Sequence, residues 1–216
     1  MTIKAVIFDM DGTLLDTERV CLATFVATGK RYGLTDLTPT FMKIVGRSGT
    51  SEESVIAKAL GTHVSFADFI AEWDKAMDAH LAQGVPVKDG ALDLCQALAQ
   101  KGLPMAVATS TSTARANTHL QHAGLAQFFQ HIIGGDQVTR RKPDPEPYIK
   151  TAALLGVTPQ ECVMFEDSDP GTRAAFTSGG ITVQIPDLKA PDPEVAALGH
   201  LIAPNLMAGA RQIGLI

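Results

Sequence analysis

Four acidic residues crowd the end of the first apolar run. In VIFDMDGTLLDTE, residues 6–18, Asp9, Asp11, Asp16 and Glu18 follow directly on Val6, Ile7 and Phe8. Burying carboxylates costs several kcal/mol unless something pairs with them. A second acidic pair, Glu166 and Asp167, closes the run CVMFE at 162–166; Thr109 and Ser110 close PMAVAT at 104–109, and Lys142 follows HIIGG at 131–135 across a short loop. Two pairs of carboxylates, two hydroxyls and one ammonium make an all-oxygen donor set with a single positive charge. With no Cys or His among these residues, the set suits a hard divalent cation, and Mg²⁺ is the expected ion.

Residues so far apart in the chain meet only if the elements carrying them are arranged for it. The apolar runs KAVIFD (4–9), PMAVAT, HIIGG, CVMFE and ITVQI (181–185) are near-continuous rather than alternating, as in strands covered on both faces of a parallel sheet. Helical patterns separate the later runs, at about 89–101, 112–123, 145–155 and 169–179. Strand and helix in repetition predict an α/β fold with a doubly wound, Rossmann-like parallel sheet. The carboxyl ends of such strands form the ligand crevice, which is where the acids, hydroxyls and lysine would converge.

The interval between the first two runs breaks this alternation. ERVCLATFVATGKRYG (18–33), TSEESVIAKALG (50–61) and SFADFIAEWDKAMDAHLA (65–82) all read as helices, with serine or threonine starts and glycine stops. Residues 17–86 are therefore expected to form an inserted helical domain, and 1–16 with 87–216 the sheet domain, hinged near Leu15–Thr17 and Gly84–Gly90.

The bulk properties narrow the partners. A chain of 216 residues with a net charge of −5 has no basic tract longer than RRK at 140–142, so nucleic acid is not expected. No run approaches the roughly 18 apolar residues of a membrane span. Cys21, Cys95 and Cys162 show no metal or disulfide spacing, which predicts a reducing, cytoplasmic setting. A small molecule is the expected partner, and the chain a monomer or small oligomer.

DMDGT at 9–13, ATS at 108–110, RKPDPEPY at 141–148 and FEDSDPGTRAA at 165–175 resemble, in order, the four motifs of the haloacid dehalogenase superfamily of phosphohydrolases. The insert after the first motif is similar to the helical cap of its β-phosphoglucomutase-like branch. The resemblance implies Asp9 as nucleophile, Asp11 as general acid and base, Ser110 and Lys142 as phosphate ligands, and Asp167 as a metal ligand with Glu166 close behind. It also implies that Arg47, in VGRSGTS between two cap helices, reaches toward the substrate. The physical chemistry agrees. A carboxylate attacks phosphorus once a cation neutralises the phosphate oxygens. A helix beginning near Thr111–Thr113 would offer free N–H groups to phosphate beside Ser110, so Thr111 joins the expected phosphate ligands. Asp11 must hold a proton to give, so its crowded neighbours are expected to raise its pKa.

The implied activity is Mg²⁺-dependent hydrolysis of a small phosphorylated metabolite, a sugar or polyol phosphate, through an aspartyl-phosphate. The alternative is a sugar-phosphate mutase of the β-phosphoglucomutase kind. The sequence departs from that mutase pattern where its hinge histidine falls near Cys21 and where its cap arginine and lysine have no clear counterparts. Dehalogenation is disfavoured because members with that activity lack the acid found here as Asp11.

Overall fold

The apolar runs become short strands: β1 (Ala5–Phe8), β2 (Met105–Ala108), β3 (His131–Ile133), β4 (Cys162–Glu166), β5 (Ile181–Gln184) and β6 (Leu201–Ile202). The computed structural model describes residues 2–45, 50–62 and 64–216. Among these the strands form one parallel sheet in the order β3-β2-β1-β4-β5-β6. Every residue of β1, β2 and β4 is buried, which is why these runs carry no polar alternation. The chain winds outward from β1 through β2 to β3, then returns to β4 and winds the other way. The winding reverses between β1 and β4, and the carboxyl side of such a switch point is where open α/β sheets bind ligands.

Helices α1 (Thr17–Arg31), α2 (Thr38–Ile44), α3 (Thr50–Leu60) and α4 (Phe66–Leu81) occupy the interval between β1 and β2. The sheet is flanked by α5 (Ala91–Gln100), α6 (Thr113–His122), α7 (Glu146–Leu154), α8 (Asp169–Thr177), α9 (Pro193–Ala196) and α10 (Leu206–Gln212). No helix among the described residues is long and apolar enough to cross a membrane.

The chain divides into two compact units, residues 1–16 with Val85–Ile216, and Thr17–Gly84. Val85 and Pro86 lie with the sheet rather than the helices, two residues from the expected boundary. The Asp16 N–H donates to the Pro86 carbonyl at 2.8 Å, and Leu15 bridges to Val87. In the helical unit, α1 and α4 pack through aromatic rings. Phe25 meets Phe69 at 5.3 Å and Trp73 at 4.8 Å, both edge-on. The Trp73 indole N–H is shared between the Cys21 carbonyl and the Thr24 hydroxyl, each at 3.2 Å.

Four elements were not foreseen. α2 is short and starts where Asp36 accepts from the Thr38 N–H and hydroxyl. β6 has two residues, α9 has four and α10 has seven. None spans enough turns or pleats for apolar periodicity to register, and each is held by tertiary contact.

Candidate active site

The turn after β1 is tied to itself. The Leu14 and Leu15 N–H groups both donate to the Met10 carbonyl at 2.9 Å, and the Gly12 N–H to the Leu15 carbonyl at 2.8 Å. Gly12 has φ +82°, and a Cβ there would stand 2.3 Å from Asp167 Oδ2. Glycine thus provides both the turn and the close approach of the acid from β4. Thr13, buried behind the turn, donates to Asp167 Oδ1 at 3.3 Å.

Lys142 binds the two strand ends together. Its ammonium lies 2.6 Å from Asp9 Oδ1, 2.6 Å from Glu166 Oε1 and 2.9 Å from the Ala108 carbonyl, so its three protons have three acceptors from β1, β4 and β2. Burial pulls the pKa of this ammonium down, but the Asp9 and Glu166 carboxylates outweigh it and hold the pKa above the ordinary lysine value. Asp9 is pushed above a normal carboxylate, up to about 8. Its burial is the largest cause, Glu166 and Asp11 add to it, and Lys142 opposes it.

Glu166 is fully buried and fully partnered. Oε1 accepts from Lys142 and from the Tyr148 hydroxyl at 2.6 Å. Oε2 accepts from the Asp167 and Ser168 N–H groups and the Ser168 hydroxyl, at 3.2 to 3.4 Å. Burial, followed by the charges of Glu166 and Asp9, raises the Tyr148 pKa well above the usual phenol, which keeps it a donor. Gly171, on α8, makes room for this carboxylate: a Cβ there would fall within 2.2 Å of three Glu166 side-chain atoms. Ser168 also caps α8 by accepting from the Gly171 N–H at 3.2 Å.

Asp11 sits between two threonines from the end of β2. The Thr111 hydroxyl donates to Asp11 Oδ2 at 2.7 Å, and the Thr109 hydroxyl reaches the same oxygen at 3.4 Å. The Thr111 N–H donates to Thr109 Oγ1 at 3.1 Å, and the Thr113 N–H to Asp136 Oδ1 at 2.7 Å. Those N–H groups were expected free for phosphate; both have protein acceptors. Thr111 holds Asp11, and Ser110 stands exposed beside it. Asp136 itself is displaced below the ordinary carboxylate pKa, chiefly by the N–H and hydroxyl of Thr113.

Among the described residues, one group of acids has its carboxylate oxygens close enough to share a metal ion: Asp9, Glu166 and Asp167, within 4.8 Å of one another. The donors are all hard oxygens, and four carboxylates including Asp11 face a single ammonium. That excess of negative charge at a buried switch point fits a divalent cation. Arg47 lies outside the described residues. Thr13, Thr109, Tyr148 and Gly171 support the site in ways the motifs alone did not reveal. Tyr148 falls inside RKPDPEPY, but its contact with Glu166 crosses from α7 to β4 and leaves no spacing signal.

Residues 6–184 match the profile of haloacid dehalogenase-like hydrolases. A phosphorylated carbohydrates phosphatase of Thermotoga maritima is 32% identical over 82% of each chain. The structure of a haloacid dehalogenase family hydrolase from Deinococcus radiodurans, with bound phosphate and sodium, is 28% identical with a TM-score of 0.80, covering 98% of this chain and 94% of that one. A β-phosphoglucomutase from Clostridium difficile, 19% identical, shares the fold at a TM-score of 0.75 over 94% and 92% of the two chains. With a matching profile over most of its length and the family's motifs gathered at one switch point, the chain belongs to the haloacid dehalogenase-like hydrolases.

Proposed function

We propose that this phosphoric monoester hydrolase removes the phosphoryl group from a small sugar or polyol phosphate, with Mg²⁺ as cofactor and a covalent phosphate on Asp9. The observation that carries the reading is the Lys142 ammonium, set 2.6 Å from both Asp9 and Glu166 at the switch point. It holds Asp9 Oδ1 and leaves the other carboxylate oxygen to attack.

Asp9 and Asp167 would hold the ion, with the Asp11 carbonyl and waters completing the set. The cation, when bound, neutralises phosphate oxygens and favours ionised Asp9. Glu166, whose oxygens already accept five hydrogen bonds, acts by fixing Lys142 rather than as a primary ligand. Asp9 attacks phosphorus, and the bond to the ester oxygen breaks as Asp11 gives that oxygen a proton. In the second step Asp11 takes a proton from water, which attacks phosphorus and frees Asp9 and inorganic phosphate. The hydroxyls of Thr109 and Thr111 orient Asp11 for both transfers. Ser110 and the charge of Lys142 receive the phosphoryl oxygens. The helical unit serves as the cap that selects the substrate.

The Thermotoga maritima relative, named for phosphorylated carbohydrates, supports the substrate class. A panel of sugar and polyol phosphates with Mg²⁺, read by released phosphate, tests the reading. EDTA should stop release and excess Mg²⁺ restore it. Interconversion of sugar phosphates without phosphate release would favour the mutase instead, the activity named for the Clostridium difficile neighbour.

A further inference from the structure

Gln184 ends β5 as a fully buried amide. It pairs across the sheet with Glu166, and its hydrogen bonds leave that pairing for the loop beyond. The side-chain amide Nε2 donates to the Asp167 carbonyl and to Asp169 Oδ1, each at 3.3 Å. Its Oε1 lies 2.8 Å from His200 Nε2.

The chemistry sets the direction of this chain. Turning the amide over would place its oxygen against two oxygen acceptors, so Nε2 faces the loop and Oε1 faces His200. His200 Nδ1 is buried without a partner, so the ring donates from Nε2 as a neutral imidazole. Burial lowers the His200 pKa in agreement, against a weaker pull from Asp169. Asp169 is anchored from its far side, where Oδ2 accepts the Asp192 N–H at 3.1 Å and lies 3.8 Å from Lys189.

We propose that Gln184 is a positioning residue for the cation site: its amide holds the Asp167 carbonyl and the Asp169 side chain together and so sets where the Asp167 carboxylate stands. A buried glutamine that merely fills a polar gap would need any available partners. This one spends both donors on the loop carrying the candidate metal ligand, and takes its acceptor contact from a histidine that the motifs do not include. The inference rests on the reading that Asp167 holds Mg²⁺.

The test is Mg²⁺ binding to the full chain, by titration calorimetry, for wild type, Gln184→Met and His200→Phe. Methionine keeps the length and removes both donors. Its folding is checked by circular dichroism in EDTA. Gln184→Met should bind Mg²⁺ about tenfold more weakly, the scale of losing an outer partner of a metal ligand. Phosphate release should recover toward wild type as Mg²⁺ is raised. His200→Phe, which loosens Gln184 from behind, should also weaken binding, by a smaller factor than Gln184→Met, and decides the matter if Gln184→Met fails to fold. Wild-type affinity in the folded variants overturns the role of Gln184 alone. Absence of Mg²⁺ binding by the wild type overturns it together with the metal reading.

Discussion

The two units bury polar groups in opposite ways. In the sheet unit, the ionisable side chains of Asp9, Lys142 and Glu166 are almost wholly enclosed, and the Lys142 ammonium lies 2.6 Å from both carboxyl groups. In the helical unit the interior is aromatic. The Trp73 N–H and the Thr24 hydroxyl there satisfy themselves on the backbone of α1, with Thr24 Oγ1 accepting from Trp73 and donating to the Val20 carbonyl at 2.8 Å. The helical packing is what a stable core needs. The charged cluster goes beyond that, because hydrophobic replacement of a buried ion group is often neutral or stabilising. The proposed function supplies a reason to keep such a cluster, and under it the reaction belongs to the sheet unit.

The comparison breaks most visibly in rate. Asp11→Asn removes the proposed proton carrier while keeping the threonine contacts within reach, and should slow turnover by about 10² to 10⁴-fold. Steady-state assay at saturating substrate and Mg²⁺ checks this, and a loss confined to KM would contradict the assignment. A substitution of the Trp73 N–H contact should leave kcat within about twofold, since a single neutral hydrogen bond shifts packing by only ~1 kcal/mol.

Stability sharpens the contrast next. Glu166→Ala leaves the buried Lys142 ammonium short of a partner and deprives Tyr148 of its acceptor, so it should cost about 3 to 5 kcal/mol in metal-free protein. Trp73→Phe in the other unit should cost ~1 kcal/mol. Urea unfolding of both variants in EDTA measures the pair, and equal losses would remove the distinction drawn between the units.

The smallest effect concerns pH. Asp9 is raised above the ordinary carboxylate range in the folded protein. Between that range and about pH 8 the metal-free folded state therefore holds more protons than the unfolded chain. The dependence of unfolding free energy on pH is then negative, and the Asp9 contribution to stability falls as pH rises through this window. A bound cation displaces that proton. The rise in melting temperature on adding Mg²⁺ should consequently be larger at pH 8 than at pH 6, and an equal or reversed difference would contradict this.

Much of this was legible because the candidate reacting groups stand where apolar runs stop. Asp9, Lys142, Glu166 and Asp167 each follow or close a strand, and a parallel sheet gathers strand ends. The supporting groups were harder to read. Tyr148 and Gln184 lie within runs that look like core, and their partners sit on other elements. Thr111 shows a different limit: its place in the motif says nothing of its hydroxyl's contact with Asp11, which depends on how the ends of β1 and β2 meet. The elements β6, α9 and α10 escaped for want of length.

The nucleophile itself is the central claim. Asp11→Asn should still be attacked at phosphorus when the leaving group is p-nitrophenolate, which needs no proton, but should lack the base for the second step. Acid-quenched protein from that reaction, digested and examined by mass spectrometry, should carry one phosphoryl group on Asp9, and Asp9→Asn should carry none. Phosphate on Ser110, or near-normal turnover by Asp9→Asn, would contradict the account.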